Sequence, residues 1–176
     1  MKQFIGGSLI MTALLVTACN QDQAITEDFS SEAGQFSIST PAPLEETQQS
    51  VDTPVGPIEI YTFTAEQDDA AYVVAYSDYP PEIVEQTDPD QLLDSSRDGA
   101  INNLGGTLVS EEAIDLEGNP GRSLVISTDV NAGEPAVIDS RIYLVENRLY
   151  QILVVMPEDD NDDAASTNFL ESFSLN

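Results

Sequence analysis

The sequence predicts an α+β domain, an antiparallel β-sheet with helices packed on it. Three observations predict it. Strand-like runs, most of them alternating apolar with polar residues, fall into two groups punctuated by turn residues. Between the groups lies one segment with helical spacing and both end signals, and a second helix-like segment closes the chain. The order strands, helix, strands, helix favours helices layered on one antiparallel sheet.

Each element can be read in turn. "GQFSIST" is a short first strand, ended by "PAP". "LEETQQSV" and "GPIEIYTFTA" are two strands joined through "DTPVG", and "EQDDA" is a turn. In "AYVVAYSD", Tyr72, Val74 and Tyr76 share one face while Val73 and Ala75 share the other. "YPPE" stops that strand. In "DPDQLLDSSRDGAINNLGG", Asp88 caps the first turn, Pro89 suits the first helical position and Gln91 completes a capping-box pattern. Leu92, Leu93, Ser96, Ala100, Ile101 and Leu104 form one stripe, and Gly105 with Gly106 ends the helix. The runs "TLVSEEAIDLEG", "RSLVISTDV", "AVIDSRIYLV" and "RLYQILVVM" are four more strands. "GNPG" and "NAGEP" supply turn chemistry between them, and "EN" suits a tight hairpin. In the closing "PEDDNDDAASTNFLESFSLN" the acids suit a helix N-terminus, and Phe169, Leu170 and Phe173 close onto the sheet.

Ahead of the domain, Lys2 precedes an apolar run from Phe4 to Val16 that is too short to span a membrane. "VTAC" at its end resembles the bacterial lipobox. That resemblance implies cleavage after Ala18 and a thioether-linked diacylglyceryl group on Cys19, the only cysteine of the chain. An ordinary signal peptide would leave an oxidisable thiol without a partner, whereas lipidation accounts for its isolation. Two or more acyl chains give stable anchoring. Asn20, where an aspartate tends to retain such proteins in the inner membrane, leans towards the outer one. The expected organisation is a signal peptide over 1–18, an acidic flexible tether over 19–33 and a single domain over 34–176. The domain would face the periplasm or the cell exterior, on the cell membrane or the outer membrane.

Only five cations oppose 32 acids in the 176 residues, a formal charge of −27. Loss of Lys2 leaves Arg97, Arg122, Arg141 and Arg148 against all 32 acids, or −28, with no lysine and no histidine. Such a surface repels phosphates, so nucleic acid is not a partner. The acidity is read either as a surface for cations or basic partners, or as solubility in a salty medium, which screens repulsion beyond about 10 Å. The second account is the simpler.

The same composition restricts chemistry. Without histidine or mature lysine there is no base for a serine triad or Ser–Lys pair, and imidazole metal sites are excluded. No phosphate loop is present. Paired carboxylates could run a hydrolase, yet 32 of them give no specific pair. "DDNDD" offers Asp159, Asp160, Asp162 and Asp163 for weak calcium binding, but an EF-hand alignment puts Ala164 where glycine belongs and Leu170 where the bidentate glutamate belongs. No other cofactor is expected beyond the lipid. Arg122, Arg141 and Arg148, with Tyr150, lie in the last strand group and are the candidate binding residues. Either they converge on an anion, or neighbouring carboxylates neutralise them.

"GNPGRSLVIS", then "SRIYLVENRLYQILVV" and a closing "FLESFSL", resemble bacterial lipoproteins of the PsbP-like superfamily. Gly118, Pro120, Gly121, Arg122, Arg141, Tyr143, Asn147, Arg148, Leu149, Tyr150, Phe169, Ser172 and Phe173 carry the resemblance. It covers most of 34–176 and implies an α/β/α sandwich. The superfamily includes the P subunit of the photosystem II oxygen-evolving complex and a Ran-binding import factor, both partner-binding and non-catalytic. The resemblance therefore implies a membrane-anchored, non-catalytic domain with a protein partner, or an accessory subunit of a membrane complex of the photosystem kind. A carboxylate-dependent hydrolase is the reading from another class.

Overall fold

Successive side chains point to opposite faces, so runs that are apolar at both parities, such as "RLYQILVVM", demand a sheet with something laid over both sides. The computed structural model describes residues 27–53, 56–130, 133–160 and 164–176. In chain order the elements are β1 (Glu27–Ser31), β2 (Phe36–Thr40), β3 (Glu45–Thr53), β4 (Gly56–Gln67), β5 (Ala70–Asp78), α1 (Pro81–Gln86) and α2 (Pro89–Leu104). There follow β6 (Thr107–Leu116), β7 (Asn119–Val130), β8 (Glu134–Val145), β9 (Arg148–Pro157), α3 (Ala164–Ser172) and β10 (Ser174–Leu175). Two antiparallel meanders, β3-β4-β5 and β6-β7-β8-β9, join through β5 and β9 into a seven-stranded sheet ordered β3-β4-β5-β9-β8-β7-β6. The α1–α2 connection carries the chain from β5, inside the sheet, to β6 at its far edge.

The predicted sandwich is present. On one face Leu124, Ile126, Ile138, Ile142, Leu144 and Leu149 meet α2, whose Leu93 is fully buried with Leu92, Ile101 and Leu104 partly so. On the other face the expected row Tyr72, Val74 and Tyr76 joins Phe63, Tyr143, Tyr150, Ile152, Val154 and Met156. That face is covered by α3, through Phe169 and Leu170, by Phe173 just beyond it, and by a small sheet ordered β1-β2-β10.

The ends of α2 follow the sequence signals. Asp88 Oδ1 accepts from Asp90 N at 2.9 Å, so the cap closes on Asp90 rather than through Gln91. Gly105 takes φ 62°, and Gly106 N donates to Ile101 O at 3.0 Å.

Four local expectations are corrected. The tether cannot run through residue 33, because Glu27–Ser31 pairs with β2 as a strand. Its one apolar residue, Phe29, supplies the anchor by packing on Phe36 and Phe63 at 5.9 and 5.4 Å. "YPPE" does more than stop a strand, since Pro81 opens α1, a turn of helix without a buried residue and hence without an apolar period. The hairpin turn expected at "GNPG" sits at Glu117 and Gly118, both at positive φ, while Asn119, Pro120 and Gly121 already belong to β7. Finally, Ser174 and Leu175 add a short strand to β2.

One row crosses the whole sheet. Register places Gln48, Tyr61, Tyr76, Tyr150, Tyr143 and Gly121 directly opposite one another on β3, β4, β5, β9, β8 and β7. Four consecutive tyrosines end on a glycine because Tyr143 lies over it. A Cβ at Gly121 would stand 2.5 Å from the Tyr143 ring and 2.5 Å from Ile142 O. Gly121→Ala should therefore lose about 1–3 kcal/mol of stability from overpacking, read as a lower urea midpoint at unchanged slope. Gly99→Ala, in α2 with nothing within 4 Å of its added methyl, should gain about 0.5–1 kcal/mol in the same assay.

Candidate functional site

Cations are the scarce groups of this chain, so their placement shows where polar chemistry is concentrated. Arg148 opens β9 opposite Asp78, the last residue of β5. Its Nε and Nη2 donate to the two Asp78 oxygens at 2.6 and 2.8 Å, a bidentate pair. Nη1 donates to Ala33 O at 2.9 Å, and the guanidinium lies 4.5 Å from the Tyr76 ring centre. The hydrogen bonds to Asp78 hold Arg148 charged well beyond the usual arginine range. Beside it the Tyr150 hydroxyl donates to Gly34 O at 2.6 Å in a buried setting. Burial pushes the hydroxyls of Tyr76, Tyr143 and Tyr150 up from the ordinary tyrosine value.

Arg122 lies on the opposite face of the sheet. Its Nη2 pairs with Asp90 Oδ1 at 2.6 Å and its Nε with Glu111 Oε1 at 3.2 Å. Glu111 also binds Arg97 at 2.9 Å, and Arg97 reaches Asp94 and Asp98 on its own helix. Two arginines thus tie three aspartates of α2 to edge strand β6. Sequence reasoning named Arg122 but passed over Arg97, although acids at 90, 94 and 98 sit at helical spacing around it and mark a face that needs a cation.

Arg141 has another task. Its Nη1 donates to Leu170 O at 2.9 Å, satisfying a carbonyl in the last turn of α3. It shares a face of the sheet with Arg148, but the register Arg141↔Ile152 puts them four residues apart along the strands, about 13 Å. The three predicted arginines therefore occupy three separate places and do not converge on one anion. Near Arg141, Asp139 is half-buried, and burial raises its carboxyl above the ordinary aspartate value while Arg141 opposes the rise.

Open recesses are also present among the described residues. A cleft of about 650 Å³ at one end of the sheet is lined by Glu66, Asp68, Asp69 and Glu134, with Pro135 and Val155 among its apolar walls. A smaller one, about 130 Å³, lies between Asn103 of α2 and the sheet at Ile60, Ala75 and Gln151. Of the calcium candidates, Asp159 and Asp160 sit in a single 3-10 turn, Glu158–Asp160, while Asp162 and Asp163 lie outside the described residues. Among the described residues no cluster of three or more metal-ligating side chains occurs. Ala18 and Cys19 also lie outside the described residues.

No family model and no curated sequence matches the chain. Solved structures do. The chain is similar to cyanobacterial PsbP (CyanoP) from Synechocystis sp. PCC 6803, with a TM-score of 0.58 at 14% identity, over 92% of this chain and 99% of that one. It is also similar to LpqN of Mycobacterium tuberculosis, with a TM-score of 0.50 at 16% identity, over 80% and 82% of the two chains. The PsbP-like fold expected from the strand and turn motifs is the fold of this protein.

Tyr150→Phe should keep the fold but strand the Gly34 carbonyl, at a cost of about 1–3 kcal/mol, with faster amide exchange in β1 and β2. Asp139 carries a pH signature. Its folded pKa lies above the unfolded value, so its contribution to stability is present in acid and lost as pH rises through the folded value. Asp139→Asn should accordingly be more stable than the parent at pH 7, and the difference should shrink as pH falls through the raised folded value and be gone below about 4, the unfolded aspartate range. Urea midpoints measured across pH check the sign.

Proposed function

We infer that this chain is an exported protein, anchored through lipid on Cys19, whose single domain binds or scaffolds a protein partner without catalysing a reaction. The observation that carries the reading is where the cations are spent. Each of the four arginines is engaged inside the domain, with Asp78, Asp90, Asp94, Asp98, Glu111, Ala33 or Leu170 as partners. The excess of acid is thereby left facing outward, an electrostatic surface suited to recognising a basic partner and steering it in.

Other observations support parts of this reading. The lipobox-like "VTAC" supports export and anchoring. LpqN, whose fold this chain shares, is a protein involved in cell envelope biogenesis. A hydrolase of the paired-carboxylate kind needs two carboxyls held close together with their acidities driven apart. Among the described residues the carboxyl driven upward is Asp139, and the charge acting on it is Arg141 rather than a second acid. The second reading, an accessory subunit of a membrane complex, is favoured by the likeness to CyanoP along 99% of that chain.

The test is crosslinking in native membranes followed by pull-down of the full chain. A stoichiometric membrane-protein partner is expected. Recovery of the chain alone, together with turnover abolished by one Asp→Asn or Glu→Gln change, would replace this reading with an enzymatic one. Cys19→Ser should move the protein from the membrane to the soluble fraction without acylation. Unchanged membrane partitioning would remove the lipid anchor from the proposal.

A further inference from the structure

The two edges of the large sheet are built differently. Strand β6 is guarded, because its pairing with β7 breaks at a bulge between Leu108 and Ser110 that throws Val109 out to 64% exposure. Glu111, Glu112 and Asp115 add charge to the same edge. Strand β3 lacks the bulge, and its three acids, Glu45, Glu46 and Asp52, stand towards its two ends. It pairs with β4 through nine consecutive positions, from Glu45↔Thr64 to Thr53↔Gly56, without a bulge. It contains no proline, lysine or arginine, and its centre, Thr47 to Val51, is uncharged. Residues 45–52 are all exposed, and among the described residues no strand lies on its outer side.

The faces that meet at this edge differ in chemistry. On the tyrosine side stand Glu46, Gln48, Ser50 and Asp52, with Glu59 of β4 beside them. Gln48 Nε2 donates to Glu59 Oε2 and to the Tyr61 hydroxyl, both at 3.1 Å, which keeps Glu59 against β3. On the opposite side stand Thr47, Gln49 and Val51, backed by Ile58, Ile60 and Thr62 of β4 and by Val73 and Ala75 of β5. One face is acidic, while the other carries Glu45 at the start of β3 and is otherwise neutral and mostly apolar across three strands.

We propose that β3 is an acceptor edge for an extended segment of a partner protein in which basic and apolar residues alternate. An added strand takes main-chain hydrogen bonds from the edge and reads its faces with alternate side chains. Here every second side chain would meet Glu46, Asp52 and Glu59, and the intervening ones would lie along Thr47, Val51 and Ile60. Charge complementarity selects the partner. A second copy of this chain would bring another −27 charge and the same acidic face to the edge.

The proposal rests on the partner-binding reading above and is tested apart from it. The probe is a seven-residue peptide alternating lysine and valine, added to the full chain. The control has the same composition in block order, four lysines followed by three valines. The alternating peptide should bind at least about tenfold more tightly than the control and weaken in 1 M salt. It should slow amide exchange of residues 45–52 while leaving β6 unchanged. Val51→Lys should weaken binding about tenfold, and Val109→Lys, on the guarded edge, should not. Equal binding of the two peptides, binding without protection of β3, no binding, or self-association through β3 would each overturn the proposal. If a membrane partner is nonetheless crosslinked elsewhere on the domain, the partner-binding reading stands without this edge.

Discussion

Everything in this fold leans on the tyrosine row. Cross-strand neighbours are the unit of sheet stabilisation, and here four of them follow one another on β4, β5, β9 and β8. Tyr61 and Tyr76 stack at 4.8 Å and 13°. The row also recruits the second layer. Phe173 stacks parallel to Tyr143 and meets Tyr150 edge-on, drawing the end of α3 onto the sheet. Phe36 meets Tyr150, Phe63 and Phe173, which seats the small sheet. In a chain without tryptophan, tyrosine supplies both the buried area and the polar handle. The Tyr150 hydroxyl uses that handle on Gly34, where the chain turns between β1 and β2.

Charge is the second constraint, and it is met by position rather than by number. Exposed ion pairs contribute little singly, about 0–1 kcal/mol. Four arginines could therefore never balance 32 acids by counting. Three of them stand where acids are forced together by backbone structure, along α2 at 90, 94 and 98 and at the end of β5 beside a hairpin, while Arg141 serves a carbonyl of α3. Apart from the half-buried Asp139, the other described acids lie mostly on solvated faces, where salt screens them. The edge at β3 is distinctive, since an acidic face and a largely apolar one meet there along a line of open backbone.

Legibility in the sequence followed the same division. Strands β4 to β9 and helix α2 were readable because each buries one face of a long run, so their period is written in hydrophobicity. The two-layer arrangement followed from their order. Elements that are short and bury little left no periodic trace. Strand β1 holds on by Phe29, β10 by two residues, and α1 buries none fully. The hairpin at Glu117 was displaced in the reading because proline and glycine dominate turn chemistry, while here Gly121 is needed beneath an aromatic ring three strand positions later. The candidate arginines were legible as scarce groups but not as separate ones. Which face of the sheet each occupies depends on register, and Arg122 points to α2 while Arg141 and Arg148 point to α3 and the small sheet.

The residues that carry the PsbP-like resemblance turn out to do fold-building work. Gly118 makes a turn at positive φ, Gly121 receives Tyr143, and Arg141 satisfies a carbonyl of α3. Asn147 donates to Tyr79 O and its own carbonyl accepts from Tyr79 N, which closes the end of β5 against the β8–β9 turn. Ser172 joins α3 to β2 by accepting from Ser39 N and donating to Phe169 O. A pattern made of such residues identifies an architecture, and one architecture hosts many functions. What distinguishes this domain from others of its fold must therefore lie outside the pattern, in surfaces that the tyrosine row positions but does not use. The open edge of β3 contains Gln48, where that row ends, so the same register that builds the core also aligns the alternating chemistry of the edge.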